Sequence, residues 1–324
     1  MIPFVRRSAG LLLLAGFVTP FAGAAGTETP ASAAPAEAAL TPVELARSRE
    51  LQDLVAEGRE ALAYFARTDA SPDTRLPQAE KERRVRSIID RYESLLSADP
   101  EQIETLLLYG KFLRAVGQRD EAFKLFLRAD RVSPGLAVVK HQLAAHLAEN
   151  GEYEEALPLF RRAVELAPGE ARYHYDFAEF LTAGGDALAL AGKLSRAERD
   201  RLMLENFVAA SNLLPSEAGF RWRAAEAYYD VLHPDAAAAL AAWDTIAKDA
   251  KTPAEKEVVG LHRARWLIAL GKSQEARKLV AASISPGLDS TRKKLLDLLQ
   301  KAEPGLESPK EAGSPDYVPP LPAK

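Results

Sequence analysis

Residues 103–134 read IETLLLYGKFLRAVGQRDEAFKLFLRADRVSP, and residues 137–168 read AVVKHQLAAHLAENGEYEEALPLFRRAVELAP. Set one under the other at an offset of 34, nine positions line up: Leu106 with Lys140, Tyr109 with Leu143, Gly110 with Ala144, Leu113 with Leu147, Gly117 with Gly151, Ala122 with Ala156, Phe126 with Phe160, Ala129 with Ala163 and Pro134 with Pro168. Eight of these pairs keep a compatible residue type. Within each stretch the apolar residues recur at helical spacing, and a glycine divides the run into two helices. The residue types have physical roles. Small Gly110 and Ala144 let the two helices of a unit approach, while Tyr109, Leu113 and Phe126 with their counterparts fill the space between them. Gly117 and Gly151 can take a positive φ and end the first helix; Pro134 and Pro168 stop the second. Lys140 departs from the pattern, and its methylenes are expected to cover the core while its ammonium reaches water.

This arrangement resembles the tetratricopeptide repeat, a helix–turn–helix unit of 34 residues with a large-x2-large-small-x2-large first helix and an Ala-x3-Phe-x2-Ala second helix before a Pro. The resemblance implies an all-α, right-handed superhelical solenoid. Its clearest repeats are 103–136, 137–170 and 171–217. In the third, His174, Phe177, Ala178 and Leu181 keep the register, but Phe207, Ala210 and Pro215 lie 47 rather than 34 beyond Phe160, Ala163 and Pro168. That difference implies 13 inserted residues near 184–201. Phe220, Ala224, Ala225 and Tyr228 with Trp243 suggest a fourth unit. Ala264, Gly271, Ala276 and Val280 reproduce the spacing of the first. Upstream, Ile88, Tyr92, Leu95 and Pro100 resemble another second helix, paired with a helix around 43–66, and a helix about 290–301 would cap the other end. A repeat domain over 43–302 follows. A helical bundle accommodates the same helices but gives no reason for the 34-residue register.

The flanks read differently. Arg6 and Arg7 precede an apolar run from Ala9 to Val18, and Ala22-Gly23-Ala24 offers a small-residue cleavage site, the pattern of a secretory signal peptide over 1–24. The run is too short for a spanning helix, so no integral membrane span is expected after cleavage, and an exported, periplasmic or secreted location follows. Residues 25–42, rich in Ala and Pro, read as a flexible linker, and 303–324, with six prolines, as a disordered tail.

Composition removes whole classes of function. The 324 residues contain no cysteine, so there is no disulfide framework, thiolate zinc site or cysteine nucleophile. A net charge of −4 without a long basic block argues against nucleic acid as partner. Gly271-Lys272-Ser273 would need Gly at Trp266 to complete a phosphate loop, and Gly192-Lys193 would need it at Ala187. Neither H-E-x-x-H nor G-x-S-x-G occurs. The five histidines read as surface residues, and the carboxylates as a solvated face interleaved with Lys and Arg. No catalytic residue, metal site or cofactor is nominated.

What the resemblance implies instead is an inner surface, lined by first helices, that binds a peptide or helix of a protein partner. Columns 34 residues apart mark it: Leu107, His141 and Tyr175, extended to Trp222; Lys111, Ala145 and Glu179; Arg114, Ala148 and Thr182; Glu104, Val138 and Arg172. Tyr175 and Trp222 are the expected anchors, set against the alternative that they pack between repeats, with Lys111, Arg114 and Arg172 as carboxylate partners. The reading is a non-catalytic envelope scaffold or adaptor. The alternative is a structural component of a secretion, pilus or cell-wall assembly, using its convex face or the insertion, where Leu188, Leu190 and Leu194 offer a partner or dimer contact. The sequence leaves the oligomeric state unassigned.

Overall fold

A computed structural model of the chain describes residues 42–69 and 76–302. The expected signal peptide, nearly all of the linker and the Pro-rich tail lie outside the described residues. Within them are thirteen α-helices and no strand: α1 (Pro42–Asp69), α2 (Gln78–Ala98), α3 (Ile103–Ala115), α4 (Arg119–Val132), α5 (Ala137–Glu149), α6 (Tyr153–Leu166), α7 (Ala171–Leu190), α8 (Arg196–Leu213), α9 (Ala218–Ala227), α10 (Ala236–Asp249), α11 (Pro253–Ala269), α12 (Ser273–Ala282) and α13 (Asp289–Ala302). A short 3-10 turn, Pro286–Leu288, leads into α13. The all-α, helix–turn–helix repeat fold is as the 34-residue register implies. The chain divides into two compact units, 1–166 and 167–324.

In the first unit the helices pair as α1/α2, α3/α4 and α5/α6, and the positions singled out by the offset are the buried ones. Leu106, Tyr109, Gly110 and Leu113 of α3 and Ala122, Phe126 and Ala129 of α4 are all buried. A methyl group added to Gly110 would lie 2.7 Å from Cε1 and 2.9 Å from Cζ of Phe126, so the ring occupies the place a side chain would take. Tyr92 of α2 stacks on Tyr109 of α3 at 5.0 Å, carrying the core from the first helical pair into the next. Gly117 and Gly151 have φ of 87° and 82°. Each ends its helix with a paired carbonyl closure, Gln118 N–H to Leu113 O at 2.8 Å and Gly117 N–H to Arg114 O at 3.1 Å in the first case. Lys140 behaves otherwise than expected: its ammonium lies 2.9 Å from a carboxylate oxygen of Asp130 rather than in water, because the end of α4 comes back beside the start of α5.

In the second unit the pairs are α7/α8, α9/α10 and α11/α12, followed by α13. The third repeat holds the insertion as helix. Compared with α3 and α5, of 13 residues each, α7 has 20; compared with α4 and α6, of 14 each, α8 has 18. Seven extra residues thus lengthen the first helix, four the second, and two the turn. Gly185 lets the longer helices meet, since a methyl there would lie 2.9 Å from Cγ of Arg199. Buried Arg199 is 2.9 Å from buried Asp200, which also takes Arg196 at 3.0 Å and the backbone N–H of Leu232 at 2.8 Å. Leu188 and Leu194 are buried within this hairpin and offer no partner contact, whereas Leu190 is 91% exposed.

The last repeat keeps the register of the first. Gly271 repeats the turn of Gly117 with φ of 73°, and Ala264, Ala276 and Val280 are buried as their spacing requires. The hydroxyl of Thr252 accepts from the backbone of Glu255 while the Glu255 carboxylate accepts from that of Thr252, closing the start of α11. The carboxylate of Glu257 gathers the α12–α13 connection. It accepts from the backbone N–H groups of Ile284 (3.0 Å) and Ser285 (2.9 Å) and from the hydroxyls of Ser283 (3.1 Å) and Ser285 (3.0 Å). Leu295 and Leu299 of α13 then cover Leu261, Ala264, Leu267 and Val280.

Candidate protein-interaction surface

The candidate residues lie on the first helices of the pairs, and each unit carries its own set. In the first unit Leu107 is half-buried against the core. His141 does not reach the surface: it is 4% exposed, with the edge of its ring toward Phe160 at 6.0 Å. His146 is buried too, stacked on Phe123 at 4.2 Å, and burial lowers its pKa. The expectation of surface histidines fails for both, because a first helix in the middle of a stack is covered from more than one side. Arg114 pairs with Glu149 of α5, so its charge is already answered within the fold.

Lys111 is different. It is half-buried, and its pKa is lowered, first by burial and then by repulsion from Arg59 of α1. Among the described residues no carboxylate pairs with it.

In the second unit Tyr175 stacks on Phe220 at 4.5 Å and meets Phe207 edge-on at 5.6 Å, so it packs between α7, α8 and α9 while keeping partial exposure. Burial pushes its hydroxyl up to about 12. Arg172 lies 5.7 Å above its ring and pairs with Asp176 at 2.9 Å. Glu179 is held at 2.9 Å by Arg223, which also reaches Asp230 at 3.1 Å and lies 4.2 Å above the ring of Phe207. Trp222 is half-buried; its indole N–H donates to Glu226 at 2.8 Å, and its ring meets Trp243 edge-on at 5.0 Å and His262 at 6.1 Å. Burial raises the pKa of Glu226. Arg223 and Glu226 escaped the sequence reading, and His262, read with the other histidines as a surface residue, is instead desolvated and stacked on Trp243. Arg223 and Glu226 sit one and four residues beyond Trp222, which was the available signal; His262 gave none, because its stacking partner Trp243 lies on another helix.

The surface is therefore built of partly exposed aromatic and aliphatic side chains whose charged neighbours are mostly paired internally, with Lys111 the exception among the candidates. No group of three or more His, Asp or Glu able to hold a metal occurs among the described residues, and none of their helices is long and apolar enough to cross a membrane.

Residues 137–180 match the tetratricopeptide repeat family model. The chain carries a tetratricopeptide repeat. The matched segment takes in the whole of α5 and α6 and the first half of α7, which is the second of the clearest repeats and the opening of the third. Among solved structures, the chain is similar to YrrB, described as a TPR protein with an unusual peptide-binding site, at 12% identity over 66% of this chain and 93% of that one, with a TM-score of 0.44. It is similar to MamA RS-1, an ArsTM double mutant, at 17% identity over 60% and 94%, with a TM-score of 0.41. It is also similar to an O-GlcNAc transferase variant from Thermobaculum terrenum, at 20% identity over 49% and 26%, with a TM-score of 0.35. No curated protein matches the chain. The tetratricopeptide repeat is a protein-interaction fold.

Proposed function

We propose that the chain is a non-catalytic scaffold that receives a peptide or helix of a partner protein on the first helices of its tetratricopeptide repeats, and that it works outside the cytoplasm. The observation that carries the reading is Lys111: a half-buried ammonium with Arg59 nearby and no carboxylate paired to it among the described residues. A desolvated charge without a counter-ion is costly to keep, and a partner carboxylate placed there recovers about 1.5–3 kcal/mol as a charge-assisted hydrogen bond. Leu107, one turn away on α3, supplies apolar area beside it. The test is calorimetric binding of peptides selected from a library. Lys111→Gln should weaken the selected acidic peptide roughly ten- to a hundredfold while leaving the thermal stability of the free chain equal or higher, since the unpaired charge is removed. Selected peptides that bind Lys111→Gln as tightly as the native chain refute the assignment.

Export rests on the pattern of residues 1–24 and is tested by fractionation. Recovery of the uncleaved chain with the cytoplasm would refute it. A second reading, a structural part of a larger envelope assembly, is favoured by Leu190, 91% exposed at the tip of the elongated hairpin. A Leu190→Ser chain that still binds the selected peptide but drops out of a native complex would establish that reading.

A further inference from the structure

The chain has three tryptophans, Trp222, Trp243 and Trp266, and all three sit in one aromatic cluster of the second unit. At its centre the imidazole of His262 lies flat on Trp243, with ring centres 3.9 Å apart and planes within 3°. Trp222 meets the same imidazole edge-on. Nδ1 of His262 shares a 2.9 Å hydrogen bond with the hydroxyl of Tyr229, and Tyr229 stacks on Trp266 at 5.0 Å. The buried indole N–H groups of Trp243 and Trp266 both face the Tyr229 hydroxyl, which ties the three rings together through the atom that also bonds His262. We propose that protonation of His262 opens this cluster and frees Trp222, so that acidity sets the state of the second unit's binding face. The proposal rests on the reading of that face given above.

The chemistry around the imidazole has one sign. On α11 itself stand Arg265, whose guanidinium lies 4.8 Å from the centre of the Tyr229 ring, and Arg263, paired at 2.6 Å with Asp244 of α10. On α9 the nearest acid is Glu226, already bonded to Trp222, and Arg223 is held by Glu179 and Asp230. The side of α11 that packs on α12 and α13 is the Leu261, Ala264 and Leu267 side. No carboxylate is therefore in place to receive an imidazolium, and the charge that does act on it is the like charge of Arg265. A neutral ring stacks well; a charged one is desolvated and repelled. Burial, then Arg265, holds the folded pKa down to about 4 against an ordinary 6.5. The proton thus binds the open form first, and opening is favoured progressively as pH falls from 6.5 toward 4.

Because every tryptophan is in the cluster, tryptophan emission, excited at the red edge where tyrosine does not absorb, reports on it alone. The experiment follows emission wavelength, acrylamide quenching and far-ultraviolet circular dichroism during acidification of the full chain without partner. The expected result is a reversible red shift with increased quenching, its midpoint between the ordinary histidine value and about 4, while helicity is retained. His262→Phe, which keeps a flat ring without a titrating group, should lose the transition in that window, and Glu226→Gln should keep it. An unchanged emission, a transition that coincides with loss of helicity, persistence in His262→Phe, or disappearance in Glu226→Gln each overturns the proposal. If His262→Phe does not fold, side-chain NMR of the native chain decides: the His262 imidazole must titrate with the emission midpoint, and titration at the ordinary value overturns the switch. No partner is present, so failure here is distinct from failure of the peptide-binding test.

Discussion

Phe126 is 1% exposed, and its ring fills the place where Gly110 has no side chain. Gly110→Ala is expected to destabilise the chain by about 1–3 kcal/mol, because the ring must move against a packed core; the urea midpoint measures it. A helix-propensity gain of about 1 kcal/mol works against this loss, so an unchanged midpoint would mean that the ring yields freely. The linkage of His262 to stability has a definite sign. Its folded pKa lies below its ordinary value, so its contribution is complete above about 6.5 and declines as pH falls toward 4. Urea titrations at a series of pH values should therefore show stability falling through that window, with a smaller fall in His262→Phe. At this scale the sequence was a fair guide to burial and a poor one to charge. Gly110, Phe126 and their counterparts are legible because a core position is a matter of size and spacing. Arg114 and Glu179 are not, because Glu149 and Arg223, which pair with them, stand on other helices, 35 and 44 residues away.

Helix ends carry the next level of organisation. Gly117 and Gly151 sit at positive φ with open space around them, so a substitution there meets backbone strain rather than a clash. Gly117→Ala is expected to cost roughly 1 kcal/mol. Thermal denaturation should show it, and an equal loss at the exposed, ordinary-φ Gly135 would contradict the explanation. The α12–α13 connection depends on a single carboxylate that takes four hydrogen bonds, led by the Ser285 backbone N–H, which lowers the pKa of Glu257. Glu257→Gln keeps the shape and removes the charge. Faster hydrogen exchange at the amides of Ile284 and Ser285 is the expected outcome, with the rest of α12 and α13 unchanged. The native chain should show the same loosening as pH falls below the ordinary glutamate range, since a depressed carboxylate stabilises only while ionised. The repeats themselves were readable from two glycines and two prolines. The form of the insertion was only half readable, because its Ala- and Leu-rich run fits a helical extension and a longer repeat turn alike. The structure keeps it helical, since Gly185 makes room for the stem of Arg199 and the strong helix formers Ala and Leu dominate the rest of the run.

For the molecule as a whole, a repeat array is stabilised by neighbours, and each end needs an element that closes it. In the second unit α13 does this through Leu295 and Leu299. A chain ending at Leu288 should melt at a lower temperature and self-associate in size-exclusion chromatography, whereas one ending at Ala302 should behave as the native chain. Equal behaviour of the two would show that α13 is dispensable. The elongated third repeat has a different consequence. Its two added helical segments, seven residues on α7 and four on α8, are close to two turns and one turn of 3.6 residues. Additions of that size return each helix to its starting phase, so the buried stripe continues without rotating. Lengths at this tip are thereby quantised: whole turns can be gained or lost as interchangeable cassettes, while a deletion of two or five residues from α7 would swing Leu188 out of the hairpin and an outward-facing neighbour in.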